Sequence, residues 1–166
     1  MLSFEAINAD QWLRCFLAVD AAKSCVHIWN ERYPEDERPN KAIEAVEAWL
    51  SNPCEETANV AYAAAYAADA AHAAYAAYAA ASASAANAAY TAIYIADAYA
   101  AATYAAFALN LNKDDYIDSL LQKNVNFIID YKIQNNQVFG DFEAVFEAAS
   151  EADKERLLFH MDLNNA

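Results

Sequence analysis

"VAYAAAYAADAAHAAYAAYAAASASAANAAYTAIYIADAYAAATYAAFALN" occupies residues 60–110, and more than half of it is alanine. A tract of this kind suits a disordered segment, a membrane span, an ice-binding rod or the core of a folded domain. Disordered segments are poor in aromatic residues, whereas a tyrosine or phenylalanine recurs here every few positions. Alanine is too weakly apolar for a membrane span, and Asp69, His72 and Asp97 interrupt the tract. An ice-binding face needs a regular array, and the tyrosine spacing is irregular. A packed helical core remains. Small methyl side chains let helix backbones approach closely, and the tyrosines are expected to fill the gaps and offer hydroxyls to partners.

The rest of the chain agrees with helices. Alanine loses no side-chain entropy on entering a helix, and the 166 residues contain one glycine, Gly140, and three prolines, Pro34, Pro39 and Pro53. The length fits one domain with a sizeable core. The expected fold class is all-α: a single bundle of six to seven helices spanning residues 1–166. Residues 10–110 form its alanine- and tyrosine-rich core, and 111–166 an acidic C-terminal helical extension.

The first helix is expected from about Asp10 to Arg32. Trp12, Cys15, Phe16, Val19, Ala22, Val26, Trp29 and Tyr33 recur at three- and four-residue steps, and Pro34 stops the helix. A second helix follows, with Asp36 as a cap, Pro39 in the first turn and Ile43, Val46, Trp49 and Leu50 as the buried stripe. Within the alanine tract Ser82, Ser84 and Asn87 are weaker helix formers. Two helices, roughly 55–81 and 87–110, are expected, with one bent helix as the alternative. Tyr90, Ile93, Tyr94, Asp97, Tyr104 and Leu111 lie within one stripe of the latter. A fifth helix over "DDYIDSLLQKNVNFIIDYKI" offers Tyr116, Ile117, Leu120, Leu121, Val125, Phe127, Ile128 and Tyr131 for burial. Phe142, Val145 and Phe146 begin another helix. Ser150-Glu151-Ala152-Asp153 resembles a capping arrangement from which a last one restarts.

Twenty-four acids stand against ten lysines and arginines, a formal net charge of −14. Such acidity disfavours nucleic-acid backbones and anionic lipid, whose phosphates recruit Lys and Arg, and suits a basic protein partner. No lysine or arginine occurs between Lys41 and Lys113. Carboxylates gather instead at Glu31 and Glu35–Glu37, at Asp114, Asp115 and Asp118, and from Asp141 to Glu155. Each cluster is compatible with a solvated face or with capture of a basic surface. Cys15, Cys25 and Cys54 lack a metal- or redox-type spacing and are read as reduced, buried thiols. The first residues, MLSFEAINADQW, carry no basic n-region before an apolar core, so a cytoplasmic location is expected.

Catalytic signatures are sparse. With one glycine the chain has no phosphate loop and no nucleophile elbow. Asp69-x-x-His72 puts a carboxylate and an imidazole one turn apart, which suits a buried hydrogen-bonded pair and, equally in geometry, a metal or acid–base site or a polar ligand cavity. His27 and His160 sit elsewhere without matching companions. The expectation is therefore no enzyme, no cofactor and no metal.

The stretch "NERYPEDERPNKAIEAVEAWLSN" carries an Asp36-Glu37-Arg38-Pro39 turn, then the helix Ala42–Ala45 running to Ala48-Trp49, then the alanine tract with "TAIYIADAYAAATYA" from Thr91 to Ala105. Over roughly residues 10–110 this resembles the alanine-rich immunity proteins of bacterial polymorphic toxin systems. The resemblance implies an all-helical fold and a role in neutralising a toxin by binding it. It also implies histidines where this chain has Ile93 and Asp97. The expected function is thus a non-catalytic inhibitor of a basic toxin or nucleic-acid-handling effector. Asp36, Glu37, Asp114, Asp115 and Asp118 are the candidate contacts, and tyrosines possible anchors. Two other functions fit the same acidity and helicity: a phage-encoded, anti-CRISPR-like inhibitor that mimics nucleic acid, and a helical scaffold.

Overall fold

The computed structural model describes residues 10–135 apart from 76–97, together with 137, 140 and 142–164. Among the described residues there are seven helices and no strand, so the fold class is all-α. The helices are α1 (Gln11–Arg32), α2 (Arg38–Ser51), α3 (Glu55–Tyr75), α4 (Ala98–Ala108), α5 (Lys113–Gln134), α6 (Phe142–Ala148) and α7 (Glu151–Asn164). Ser82, Ser84, Asn87, Tyr90, Ile93, Tyr94 and Asp97 lie outside the described residues, and with them the choice between two alanine-rich helices and one bent helix. The chain divides into two compact units, residues 10–117 and, among the described residues, 118–164. The boundary falls within α5.

In the first unit α1 packs against α2 and α4, and α2 against α3. The start of α1 follows from Asp10, whose carboxylate accepts from Leu13 N at 2.9 Å and so satisfies one of the orphan amides of the first turn. Leu13, Cys15, Leu17, Ala18, Val19, Ala21, Ala22, Cys25 and Trp29 are buried along α1. The buried surface is broader than the expected stripe and displaced from it: Leu13, Leu17 and Ala21 join the core, while Trp12, Phe16 and Val26 are only half-buried. A helix flanked by two others is enclosed on more than one side, which a single periodic stripe does not anticipate. Trp12 nevertheless donates its indole N–H to Leu50 O at 3.1 Å, tying the start of α1 to the end of α2.

Among the described side chains the alanine helices pack through methyl groups. Those of α4 that are buried are all alanines: Ala101, Ala102, Ala105, Ala106 and Ala108. In α3, Ala61, Ala65 and Ala68 are buried. Tyr62 and Tyr104, expected as gap-fillers, are 42% and 37% exposed, and Leu111, expected in the same stripe as Tyr104, is 54% exposed. The physical reason is room. A helix that docks through its smallest side chains sits too close to its neighbour for a phenol to fit between them, so the large side chains turn outward. Tyr116, at the start of α5, does behave as expected: it is partly buried and its hydroxyl shares a 2.7 Å hydrogen bond with Ser24 Oγ of α1. Burial pushes that phenol's pKa up to about 12.

In the second unit Leu120, Leu121, Val125, Ile128, Ile129, Val145, Ala149 and Leu157 are buried. Phe127, expected inside, is 37% exposed, whereas Ile129 and Lys132 are fully enclosed. Ser150 and Asp153 form the anticipated cap of α7: Asp153 N donates to Ser150 Oγ at 3.3 Å, and Ser150 Oγ donates back to Asp153 Oδ2 at 2.6 Å. Arg156 joins Asp153 of its own helix to Asp130 of α5. Gln122 donates to Ala148 O at 3.1 Å.

If methyl contacts set the α1–α4 spacing, Ala105→Leu should destabilise the protein by about 1–3 kcal/mol through overpacking. Tyr104→Leu, at the neighbouring exposed position, should change stability by less than about 0.5 kcal/mol. Urea denaturation followed by circular dichroism measures both.

Candidate partner-binding surface

The candidate acids fall in three places. Asp36 and Glu37 lie in the turn between α1 and α2. Tyr33-Pro34-Glu35-Asp36 closes as a β-turn, with Asp36 N donating to Tyr33 O at 3.0 Å and Pro34 supplying the fixed φ of its second position. The buried indole of Trp29 donates to Asp36 O at 2.8 Å and packs its ring on Tyr33, with centroids 4.7 Å apart. The Asp36 carboxylate then accepts three bonds from Arg38: from the backbone N–H at 3.2 Å, from Nε at 2.8 Å and from Nη2. The N-cap position of α2 falls to Glu37, whose side chain makes no cap bond, so Asp36 is not the expected cap: its carboxylate holds the first residue of the helix instead, and only 14% of its side chain is exposed. The Arg38 guanidinium holds its carboxyl below the usual carboxylate range, against a smaller opposing effect of burial. Asp36 is thus built into the turn, whereas Glu37 projects into solvent beside Lys41, one turn away at 2.9 Å. Arg32, Tyr33, Pro34, Glu35, Asp36 and Arg38 line a shallow open depression there.

Asp114 and Asp115 occupy the first turn of α5, at the corner where α4 reverses. Asn110 takes the left-handed conformation, φ 56°, that usually falls to glycine. Leu111 N donates to Ala106 O at 2.9 Å and Asn110 N to Phe107 O at 3.1 Å, the pair of bonds that closes a helix C-terminus in a Schellman motif. Asn112 immediately opens α5, its Oδ1 accepting from Asp114 N at 2.9 Å and Asp115 N at 3.2 Å. Acids in a first turn are favoured by the helix dipole. Both are exposed, and Lys113 sits 3.5 Å from Asp114. Asp118 is half-buried and belongs to the second unit.

Asp69 and His72 lie on α3, but their side chains are outside the described residues. The positions of Ile93 and Asp97 are outside them as well. Among the described residues no three His, Cys, Asp or Glu side chains gather as a metal site. The thiols differ from expectation in one case. Cys15 and Cys25 are buried, and desolvation raises their pKa to about 11 and about 12. Cys54 is exposed because it is the N-cap of α3: Ala58 N donates to its carbonyl, and its own N–H donates to Thr57 Oγ1 at 3.3 Å. Thr57 lowers the Cys54 pKa by hydrogen bonding. Gln11, Cys15, Val46, Trp49, Ala58, Ala61 and Tyr62 enclose a cleft of about 50 Å³, room for little more than a water or two.

The motif that fixes the α1–α2 turn and the alanine helices after it coincide with a known family. The model of the Imm-5 like putative immunity protein family matches residues 11–131. The chain belongs to this family. The match runs past the expected limit near residue 110 and through most of α5, so the Asp114–Asp115 corner lies within the immunity-protein region. Neither a curated protein nor a solved structure matches the chain. No helix among the described residues is long and apolar enough to cross a membrane.

Two measurements check this geometry. A thiol reagent on the native protein should modify Cys54 rapidly and leave Cys15 and Cys25 unreacted until the protein unfolds, as ellipticity and released chromophore would record together. Asp36→Asn should lower stability at neutral pH by up to about 1 kcal/mol through loss of the charge on its hydrogen bonds to the Arg38 guanidinium. A carboxylate whose pKa is depressed on folding contributes its stability above its unfolded pKa. That contribution is lost as the pH falls through the folded value, which lies below the ordinary 3.8. The gap between wild type and Asp36→Asn should therefore persist at pH 5 and close in strong acid.

Proposed function

We propose that this immunity-family protein is a non-catalytic, cytoplasmic inhibitor that neutralises a basic toxin by binding it stoichiometrically. Membership of the immunity family over residues 11–131 carries the reading, since such a protein implies a toxin partner. The net charge of −14 supports a basic one. Toxins that act on nucleic acid present cationic surfaces to phosphate, and an acidic cover competes for that surface while raising the association rate. Glu37, Asp114 and Asp115, exposed at the starts of α2 and α5, are the proposed electrostatic contacts, joined by Asp118; Asp36 holds the turn that presents Glu37. The absence of catalysis is supported by the thiols as well. Cys15 and Cys25 remain protonated near neutral pH, which makes them poor nucleophiles.

The test is calorimetric titration with the toxin domain encoded beside this chain's gene. One-to-one binding that weakens steeply with salt is expected, with the toxin recovered at unchanged mass. Glu37→Lys, Asp114→Lys and Asp115→Lys together should weaken binding by about tenfold or more, on the order of 1.4 kcal/mol. Protection at substoichiometric amounts, with covalent change to the toxin, would defeat the proposal.

A further inference from the structure

The α4–α5 corner displays large apolar side chains where solvent reaches them. Phe107 is 65% exposed, Leu111 54% and Tyr104 37%. Tyr104 and Phe107, three residues apart, share the side of α4 opposite to its alanine face. The backbone of Leu111, which follows α4 directly, is fixed by the two Schellman bonds, and Asn112 fixes the first turn of α5 in the same few residues. The apolar group is therefore held on rigid backbone and loses little freedom on being covered. Asp114 and Asp115 stand at its edge, and the one cation of the corner, Lys113, is placed at Asp114.

The geometry points to this corner as the anchor of the toxin interface: Phe107, Leu111 and Tyr104 fill an apolar contact on a basic protein whose lysines or arginines ring that contact and meet Asp114 and Asp115. The inference rests on the toxin-binding reading and adds that apolar contact, rather than charge alone, holds the complex. Charge complementarity selects the occupant. A second copy of this chain would bring two bodies of charge −14 together at an acidic rim, and anionic lipid or nucleic acid would meet the same repulsion. A basic protein gains both from covering Phe107 and from the carboxylates around it. Aromatic anchors ringed by polar groups are the usual source of affinity in such interfaces.

The experiment uses the full chain and the toxin domain encoded beside its gene, titrated at low and high salt. Phe107→Ser with Leu111→Ser should weaken binding by about tenfold or more at both salt concentrations, because apolar contact is not screened. Asp114→Lys with Asp115→Lys should lose affinity mainly at low salt. Wild-type circular dichroism for the serine variant confirms that the fold is unaffected. A photo-crosslinking phenylalanine analogue at position 107 should couple to the toxin, and the same group at Val60 should not. Wild-type affinity for the serine variant would overturn the corner as anchor while leaving toxin binding intact. Crosslinking at 107 to a second copy of the chain would also overturn it. Failure of the wild type itself to bind would instead remove the toxin-binding reading, and this inference with it.

Discussion

Close approach of alanine-faced helices is the constraint from which the first unit takes its form. Among the described side chains of α4 the buried ones are all alanines, and α1, against which it packs, contributes Ala18, Ala21 and Ala22 to the core. Methyl-to-methyl packing brings helix axes to the short end of the usual range, about 8 Å, and gains dispersion over a long contact at almost no cost in side-chain entropy. Each alanine contributes little by itself. Larger anchors on α1 supply the rest: Trp29, Leu13 and Leu17 are fully enclosed, and burying a Leu-sized side chain is worth about 1.5–3 kcal/mol. The indole N–H of Trp29 would be a penalty in such a core, and its bond to the Asp36 carbonyl removes it. That single contact links core formation to the turn that opens α2.

The same constraint explains which parts of the structure were legible in the sequence. Helix limits set by side chains with a local job were readable: Asp10 before α1, Pro34 after it, Pro39 in the first turn of α2, Ser150 and Asp153 at α7. Each acts within three or four residues, so sequence spacing contains the whole interaction. The facing of the alanine helices was not readable. Where nearly every position is alanine, no face is much more apolar than another, and tyrosine suits either side because it has an apolar ring and a wet tip. Tyr62 and Tyr104 were therefore placed inside when the geometry turns them out. The exposure of Phe127 and the burial of Lys132 have a related reason: residue type predicts average burial, while the neighbours in space decide it at each position. The exposure of Cys54 follows from its N-cap position, a role that Cys seldom fills and that spacing did not suggest. The family was legible from the stretch around Asp36-Glu37-Arg38-Pro39 and the alanine tract, but the candidate site was legible only in part. Asp36 proves to be a component of the turn, and Phe107 carried no signal that distinguished it from a core residue.

Charge has a divided use in this molecule. Several acids first serve local structure: Asp36 holds Arg38, Asp153 caps α7 and, with Asp130, holds Arg156, and Glu47 meets Lys23 at 2.7 Å. Exposed pairs such as Lys23–Glu47 and Lys41–Glu37 contribute only about 0–1 kcal/mol each, so they do not account for so many carboxylates. With ten lysines and arginines for twenty-four acids, most carboxylates have no cation to meet within the chain. Such an excess opposes compaction through self-repulsion. A protein that keeps it gains solubility and long-range attraction for cations, the attraction on which the proposed capture of a basic toxin rests.

Rigidity connects the fold to that use. The reversal between α4 and α5 is made in four residues, 109–112, by Asn110 in the left-handed region and Asn112 as a cap, with no glycine to loosen it. The turn between α1 and α2 is likewise closed by Pro34, Asp36 and the buried Trp29. Residues displayed on such corners are held by backbone hydrogen bonds within the chain itself. A long, mobile loop carrying the same side chains would have to be ordered on binding, at about 1–2 kcal/mol per residue for the backbone. Helix corners avoid that cost, and they do so because the alanine faces behind them hold the helices at a fixed distance. The packing that turns Tyr62 and Tyr104 outward is thus the same packing that leaves Phe107 exposed.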